Sequence, residues 1–169
     1  MNIAEKTSVR ISIKELPPMR VASYRVISSS PERDAATYLR DLMIMRNIPF
    51  DDLRKFGIEI PVSENDHRLG LRCYEYWVCL PDKIKSLVGT TQKKIPRRIY
   101  AVLRIELPDE NPFNAIATGW FDLHDWIGES EYEPAIHDPN RYMMEEQIEI
   151  DNITYMDLYY PVSFYDYAD

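Results

Sequence analysis

Short stretches of alternating apolar and polar residues recur along the chain, which is the pattern of β-strands with one buried face. Between them lie two longer stretches whose apolar residues recur every three or four positions, as on one side of an α-helix. In the first half this pattern predicts two strands, a helix and two further strands, over residues 8–16, 20–28, 31–45, 56–62 and 71–81. Pro17-Pro18 separates the first two strands, which we predict to form a hairpin.

The second half repeats this order with one strand fewer. It is predicted to contain a strand, a helix and two strands, over residues 98–107, 112–127, 141–150 and 154–162. Both helices begin with a capping residue followed by proline, Ser30-Pro31 and Asn111-Pro112, which is typical of a helix start. The shared order indicates an internal duplication, although the two halves share few letters.

One helix among several strands in each half favours an α+β fold. We predict two pseudo-symmetric strand–helix–strand–strand units that form a largely antiparallel sheet with the helices on one face. At 169 residues the chain is long enough for one core and short for two independent domains. We therefore predict a single domain over residues 1–169, with repeat units at about 8–81 and 95–163.

One carboxylate interrupts an apolar stripe in the predicted strand 141–150. Side chains of a strand alternate between two faces, and Glu146 shares its face with four apolar or aromatic residues: Tyr142, Met144, Ile148 and Ile150. Burial of an unpaired charge is unfavourable, so such a group is normally protonated, paired or held for a ligand. The alternative is a glutamate of an edge strand that bends out to solvent.

Aromatic residues are abundant, with 12 Tyr, 3 Trp and 5 Phe, and many of them lie on predicted strands. A single strand tyrosine is usually ordinary half-buried packing. A cleft lined by aromatic rings around one carboxylate is different, because it suits a hydrophobic cation, and a groove where two similar units meet is a common place for ligands. The candidate ligand-binding residues are Glu146, Tyr142, Met144, Tyr24, Tyr76, Trp77, Tyr100 and Trp120.

The formal net charge is −8, so direct nucleic-acid binding would need a local basic patch. The main basic cluster, QKKIPRR at 92–98, is predicted to be a solvated turn. No apolar stretch reaches membrane-spanning length, and the N-terminal residues lack the pattern of a secretory signal. We expect a cytoplasmic protein that binds neither nucleic acid directly nor a membrane.

Other reactive side chains give no sign of a metal or redox site. Cys73 and Cys79 lie on one predicted strand, too far apart to bond to each other, and we expect them to be buried thiols. His67, His124 and His137 show no metal-ligand spacing. The sequence has no glycine-rich phosphate loop and no nucleophile elbow. We therefore predict that the protein binds no metal and no cofactor, and we name no catalytic residue.

Six segments in order resemble a known family: LPPMRVASYRV, FGIEIPVS, CYEYWVCLP, IYAVLRIE, DWIGESEYEP and YYPV. Together they resemble the GyrI-like small-molecule-binding domain over about residues 8–163. That family includes the gyrase-inhibitory protein and the effector-binding domains of multidrug-sensing transcription regulators. The resemblance implies two similar units with a pocket between them for bulky, often cationic aromatic compounds. It also implies a pocket glutamate on the penultimate strand, either Glu145 or Glu146, and face alternation favours Glu146.

The leading functional hypothesis is therefore stand-alone binding of hydrophobic, cationic small molecules, since no room for a helix-turn-helix domain precedes residue 8. Two alternatives follow from the resemblance. One is hydrolysis of reactive, strained small molecules by the pocket glutamate and a tyrosine. The other is interaction with a protein partner, either gyrase or a regulator, through the acidic surface.

Overall fold

The computed structural model describes residues 11–135, 138–139 and 141–164. The chain divides into two compact units, which we call the central unit (Pro18–Pro96) and the terminal unit (Met1–Pro17 with Arg97–Asp169). In chain order the elements are β1 (Ile11–Leu16), β2 (Met19–Ser28), α1 (Pro31–Met45), a 3₁₀ turn (Phe50–Asp52), β3 (Lys55–Ile60), α2 (Glu64–Arg68), β4 (Arg72–Cys79), β5 (Thr91–Ile95), β6 (Arg98–Glu106), α3 (Pro112–Gly128), β7 (Tyr132–Pro134), β8 (Met144–Ile150) and β9 (Ile153–Phe164).

The central unit is an antiparallel sheet in the order β3-β4-β2-β5, with α1 against one face. Ala22 and Val78 point from the two middle strands toward the helix, and Leu39 and Met43 of α1 are fully buried against them. Burial of Leu39, Met43 and Val78 contributes roughly 1.5–3 kcal/mol for each side chain. The opposite face of this sheet therefore carries the alternate residues of the same strands.

The terminal unit repeats this plan, with the order β1-β6-β9-β8 and with β7 paired to β9. Helix α3 covers one face of its sheet, where Ala101, Leu103 and Leu158 pack against Leu123 and Ile127. The unit therefore has a face packed on α3 and a second face that carries the alternate residues of β6, β8 and β9. We call this second face the open face of the terminal sheet.

A two-residue turn fixes the register of the last two strands. Strand β8 ends at Ile150 and β9 begins at Ile153, and both turn residues, Asp151 and Asn152, have positive φ angles, of 52° and 63°. Aspartate and asparagine tolerate this left-handed conformation, which two-residue hairpin turns require. As a result, Glu146 lies directly opposite Asp157 on the neighbouring strand.

The same ion pair occurs on the middle strands of both units. In the central unit Arg25 of β2 lies opposite Glu75 of β4, and in the terminal unit Arg104 of β6 lies opposite Asp157 of β9. Both carboxylates are buried, and each accepts hydrogen bonds from its arginine.

The element order and the strand pairing confirm the predicted α+β class, the antiparallel pairing and the duplicated order with helices.

The predicted hairpin of the first two strands is wrong. Strand β1 pairs with β6 of the terminal unit, whereas β2 pairs with β4 and β5. Pro17 and Pro18 lie between them, and proline supplies neither the N–H nor the positive φ that a tight hairpin turn uses. Strand β1, which was expected to open the first repeat unit, therefore belongs to the terminal unit.

The predicted solvated turn at 92–98 is also wrong. Residues Thr91–Ile95 form β5, which pairs with β2 at the edge of the central sheet. The segment has no apolar alternation, and backbone pairing with β2 together with an ion pair from Lys93 to Glu75 stabilises it instead. Neither Cys73 nor Cys79 forms a disulfide, as predicted, and Cys73 is buried while Cys79 is half-buried.

Glu75 is the most heavily hydrogen-bonded carboxylate of the central unit among the described contacts. Burial opposes its ionisation, but hydrogen bonds from Lys93, the Trp77 indole and Arg25 outweigh burial and hold the pKa of the carboxyl below its usual value of 4.5. A group with a lowered pKa stabilises the folded state above its unfolded pKa. This stabilisation is lost as the pH falls below about 4.5, through the pKa of the folded state.

We therefore expect Glu75→Gln to lower the free energy of unfolding by about 1.5–3 kcal/mol at pH 7, because hydrogen bonds to a charged group are lost. The difference from wild type should shrink as the pH falls below about 4.5, because the wild-type carboxylate becomes protonated through its lowered folded-state pKa. Urea unfolding over a series of pH values from 7 downward measures it. Glu64→Gln, at an exposed carboxylate of α2, is the control and should stay within about 0.5 kcal/mol of wild type. A Glu75 variant as stable as wild type at pH 7 would contradict this account.

Candidate functional site

Strand β8 carries the buried carboxylate that the sequence pattern singled out. Met144 is fully buried and Glu146 is 8% exposed, whereas Gln147 and Glu149 are exposed. Alternation along the strand therefore places Glu146 on the open face of the terminal sheet. The alternative in which this glutamate bends out to solvent is wrong.

A tyrosine from the neighbouring strand holds the Glu146 carboxylate. The Tyr159 hydroxyl donates a hydrogen bond of 2.6 Å to Oε2 of Glu146, and Tyr159 is 1% exposed. Register explains this contact, because Tyr159 lies opposite Met144, one step along the same face from the position opposite Glu146. A short bond between a phenol and a carboxylate fixes the orientation of the carboxylate.

A second tyrosine completes an aromatic corner beside the carboxylate. The ring of Tyr100 on β6 packs edge-to-face against Tyr159, with the ring centroids 5.7 Å apart. The Tyr100 hydroxyl is buried and has no hydrogen-bond partner among the described residues. Burial raises the pKa of Tyr100 to about 12, so the hydroxyl keeps its proton at neutral pH. We call Glu146, Met144, Tyr100 and Tyr159 the Glu146 cluster.

Glu145 lies on the other side of β8, toward α3. Its Oε1 accepts a hydrogen bond of 3.2 Å from the indole of Trp120, which also packs against Tyr160. Trp120 was predicted to bind the ligand together with Glu146, but the structure brings it to Glu145, on the helix-packed face. The structure thus separates the two glutamates that the sequence left as alternatives.

The remaining predicted aromatic residues are distributed over other positions. In the central unit Tyr24 stacks on Tyr38 of α1 with 3.8 Å between ring centroids, and Tyr76 packs in the same helix-covered core, where burial raises its pKa. Trp77 lies on the opposite face of that sheet, where its indole donates a 2.7 Å hydrogen bond to Glu75. Tyr142 precedes β8 and is half-buried. A role of these four in ligand binding stays a prediction.

Sequence reasoning missed Tyr159. The sequence contained a signal for it, because Tyr155, Asp157 and Tyr159 alternate along one face of the last strand.

Among the described residues no cluster of three metal-binding side chains occurs, and His137 lies outside them. No described helix has the length and apolar character needed to cross a membrane.

Comparison with known proteins places the chain in a family. The model of the integron-associated effector-binding proteins matches residues 12–162. None of the curated protein sequences is significantly similar to the chain. Among solved structures, the C-terminal domain of EcmrR is similar with a TM-score of 0.66 at 15% identity, and the match covers 91% of this chain and 97% of that one.

Two further solved structures share this architecture. SAV2435 bound to tetraphenylphosphonium has a TM-score of 0.54 at 11% identity, with coverage of 90% of this chain and 93% of that one. A hydrolase from Listeria innocua has a TM-score of 0.55 at 10% identity, with coverage of 91% and 92%. At such identities the likeness establishes the fold.

The duplicated strand–helix–strand–strand fold is that of the GyrI-like effector-binding domains, a class of domains that bind small molecules. Within this class, the chain belongs to the integron-associated effector-binding protein family. The resemblance drawn from the sequence is thereby confirmed.

Loss of the hydroxyl group should change the free energy of unfolding differently at the two tyrosines of the Glu146 cluster. We expect Tyr159→Phe to lower the free energy of unfolding by about 1–3 kcal/mol, because a buried carboxylate loses a donor. Tyr100→Phe should leave stability unchanged or raise it, because it removes a buried hydroxyl without a partner. Both changes keep the ring, so each variant is the control for the other in thermal or urea unfolding. Equal losses in both variants would contradict the assigned hydrogen bonding.

Proposed function

We propose that this protein binds hydrophobic organic cations through the Glu146 carboxylate and the rings of Tyr100 and Tyr159. The observation that carries the proposal is a buried carboxylate set among aromatic and thioether side chains rather than at the solvent surface. Membership of an effector-binding family supports a small-molecule ligand. The tetraphenylphosphonium complex of SAV2435 supports a lipophilic cation as the class of ligand.

Electrostatics favours a large cation with delocalised or shielded charge. A carboxylate and a cation about 4 Å apart attract each other by roughly 4 kcal/mol at the effective dielectric constant of a protein. Each aromatic face adds about 0.5–2 kcal/mol of cation–π attraction. A small metal cation loses far more hydration than an organic cation on entering such a site, so the apolar surroundings of Glu146 select against it. Charge and hydrophobicity together therefore define the proposed ligand class.

The hydrogen bond from Tyr159 gives the site its preorganisation. It holds Oε2 in place, and the carboxylate does not have to be reoriented when the ligand arrives. The Tyr100 hydroxyl provides a donor for any acceptor group that the ligand carries. Cations with a polar substituent near the charge should therefore bind more tightly than purely hydrocarbon cations of the same size.

Tetraphenylphosphonium is the natural probe for this proposal. We expect wild-type protein to bind it and Glu146→Gln to bind it at least tenfold more weakly, because the counter-charge is removed without a change in size. Isothermal titration calorimetry measures both affinities. The matched control is Glu145→Gln, the adjacent carboxylate on the opposite face of β8, which should stay within about twofold of wild type.

A neutral relative of the probe, triphenylphosphine oxide, separates charge from shape. Its affinity should be nearly the same for wild type and Glu146→Gln. Equal binding of tetraphenylphosphonium by wild type and Glu146→Gln would refute the proposed role of this carboxylate, and a greater loss in Glu145→Gln would move the site to the face packed on α3.

Hydrolysis of a reactive small molecule is a second candidate, favoured by the Tyr159–Glu146 hydrogen bond. A phenol and a carboxylate 2.6 Å apart can pass a proton to and from a bound electrophile. The fold shared with the Listeria innocua hydrolase supports the same possibility.

Incubation with an electrophilic alkylating compound, followed by mass spectrometry, tests this second candidate. Hydrolysis predicts a product with one added water, formed by wild type and formed much more slowly by both Glu146→Gln and Tyr159→Phe. Unchanged compound in the presence of excess protein would leave binding as the sole function of the site.

A further inference from the structure

The open face of the terminal sheet contains a cavity whose lining residues are other than those of the Glu146 cluster. It has a volume of about 490 Å³ and is lined by residues of β1, β6 and β9: Ile11, Ser12, Lys14, Val102, Arg104, Glu106 and Tyr155. That volume lies within the range of sites for small organic ligands. All seven residues belong to the terminal unit, so the cavity is complete within it.

Two side chains that line this cavity, Lys14 and Arg104, are opposite in charge to Glu146. Arg104 makes two parallel hydrogen bonds, of 2.7 and 2.8 Å, to the buried carboxylate of Asp157. Lys14 comes no closer than 3.6 Å to the same carboxylate, which is beyond a normal hydrogen bond. Because Arg104 already compensates Asp157, the ammonium group of Lys14 adds a positive charge to the cavity.

Solvent can reach both cationic groups. The side chains of Lys14 and Arg104 are 40% and 38% exposed, whereas that of Asp157 is 1% exposed. The Asp157 carboxylate is therefore buried beneath two cationic groups, and solvent reaches the Lys14 ammonium and the Arg104 guanidinium to a similar extent. A ligand anion could approach Lys14 without breaking the buried pair.

The apolar and acidic residues of the cavity limit what the remainder of the ligand can be. Ile11, Val102 and the ring of Tyr155 supply apolar walls. The Lys14 ammonium lies 3.6 Å from Asp157, which is opposite Arg104, and Glu106 is two residues further along β6 on the same face. Glu106 therefore repels a second negative charge in the cavity.

We infer that this cavity binds a small organic monocarboxylate with a flat apolar body, and that the Lys14 ammonium anchors its carboxylate. Lys14 lies opposite Tyr100 of the Glu146 cluster on the neighbouring strand, so the two sites adjoin each other on this face. One face of one sheet then carries a site for a cation centred on β8 and β9 and a site for an anion centred on β1 and β6.

The test uses 2-naphthoate, with 2-naphthamide as the uncharged analogue and naphthalene-2,6-dicarboxylate as the dianion. Calorimetric titration of wild-type protein should give saturable binding of 2-naphthoate, with both other compounds at least about tenfold weaker. Lys14→Gln should weaken 2-naphthoate by about tenfold or more, because a charge-assisted hydrogen bond is lost. Lys14→Arg keeps the charge and should retain affinity within about threefold.

Two further variants separate this site from the rest of the protein. Lys94→Gln removes an exposed lysine of the central unit and should bind 2-naphthoate like wild type. Glu146→Gln should not weaken 2-naphthoate, because it removes a negative charge rather than a partner of the carboxylate, so failure of this inference and failure of the proposed cation site are distinguishable. Absence of saturable binding at millimolar 2-naphthoate, equal affinity in Lys14→Gln, or loss in Glu146→Gln alone would overturn the inference.

Discussion

Two carboxylates directly opposite each other on neighbouring strands set the constraint on which the terminal sheet depends. Glu146 and Asp157 face the same side of this sheet, where like charges repel each other. The two carboxylates have different partners. Tyr159 donates a hydrogen bond to Glu146, and Arg104 donates two hydrogen bonds to Asp157. Asp157 is thereby compensated by a guanidinium, whereas Glu146 accepts a short hydrogen bond from a phenol.

Much of the fold could be predicted, because its local signals agree with its packing. Helix periodicity and the Ser-Pro and Asn-Pro starts gave both long helices to within one residue of their ends. The failures concern pairing rather than element type. The partner of β1 lies more than eighty residues away, and no local pattern specifies such a contact. Strand β5 lacks an apolar stripe because an edge strand needs only backbone pairing on one side.

The candidate site was predictable only in part, for a similar reason. Alternation around Glu146 is local and correctly indicated a buried carboxylate. Its partner Tyr159 is fixed by the Asp151-Asn152 turn, so counting outward from a two-residue hairpin would have paired the two strands correctly. The placement of Trp120 and Tyr24 depends on which face each helix covers. Residue type alone cannot decide that, because tyrosine and tryptophan suit both faces of a half-buried sheet.

The matched registers of the two units show where the duplicated plan loses its symmetry. Arginine and acid occupy the same two positions in each, Arg25 with Glu75 and Arg104 with Asp157, but the third position in the row is Ile58 in one unit and Glu146 in the other. The row of the terminal unit thus contains one arginine and two carboxylates, whereas that of the central unit contains one of each. Within the described residues the two units have one row of the first kind, so the proposed cation site should bind one ligand per chain.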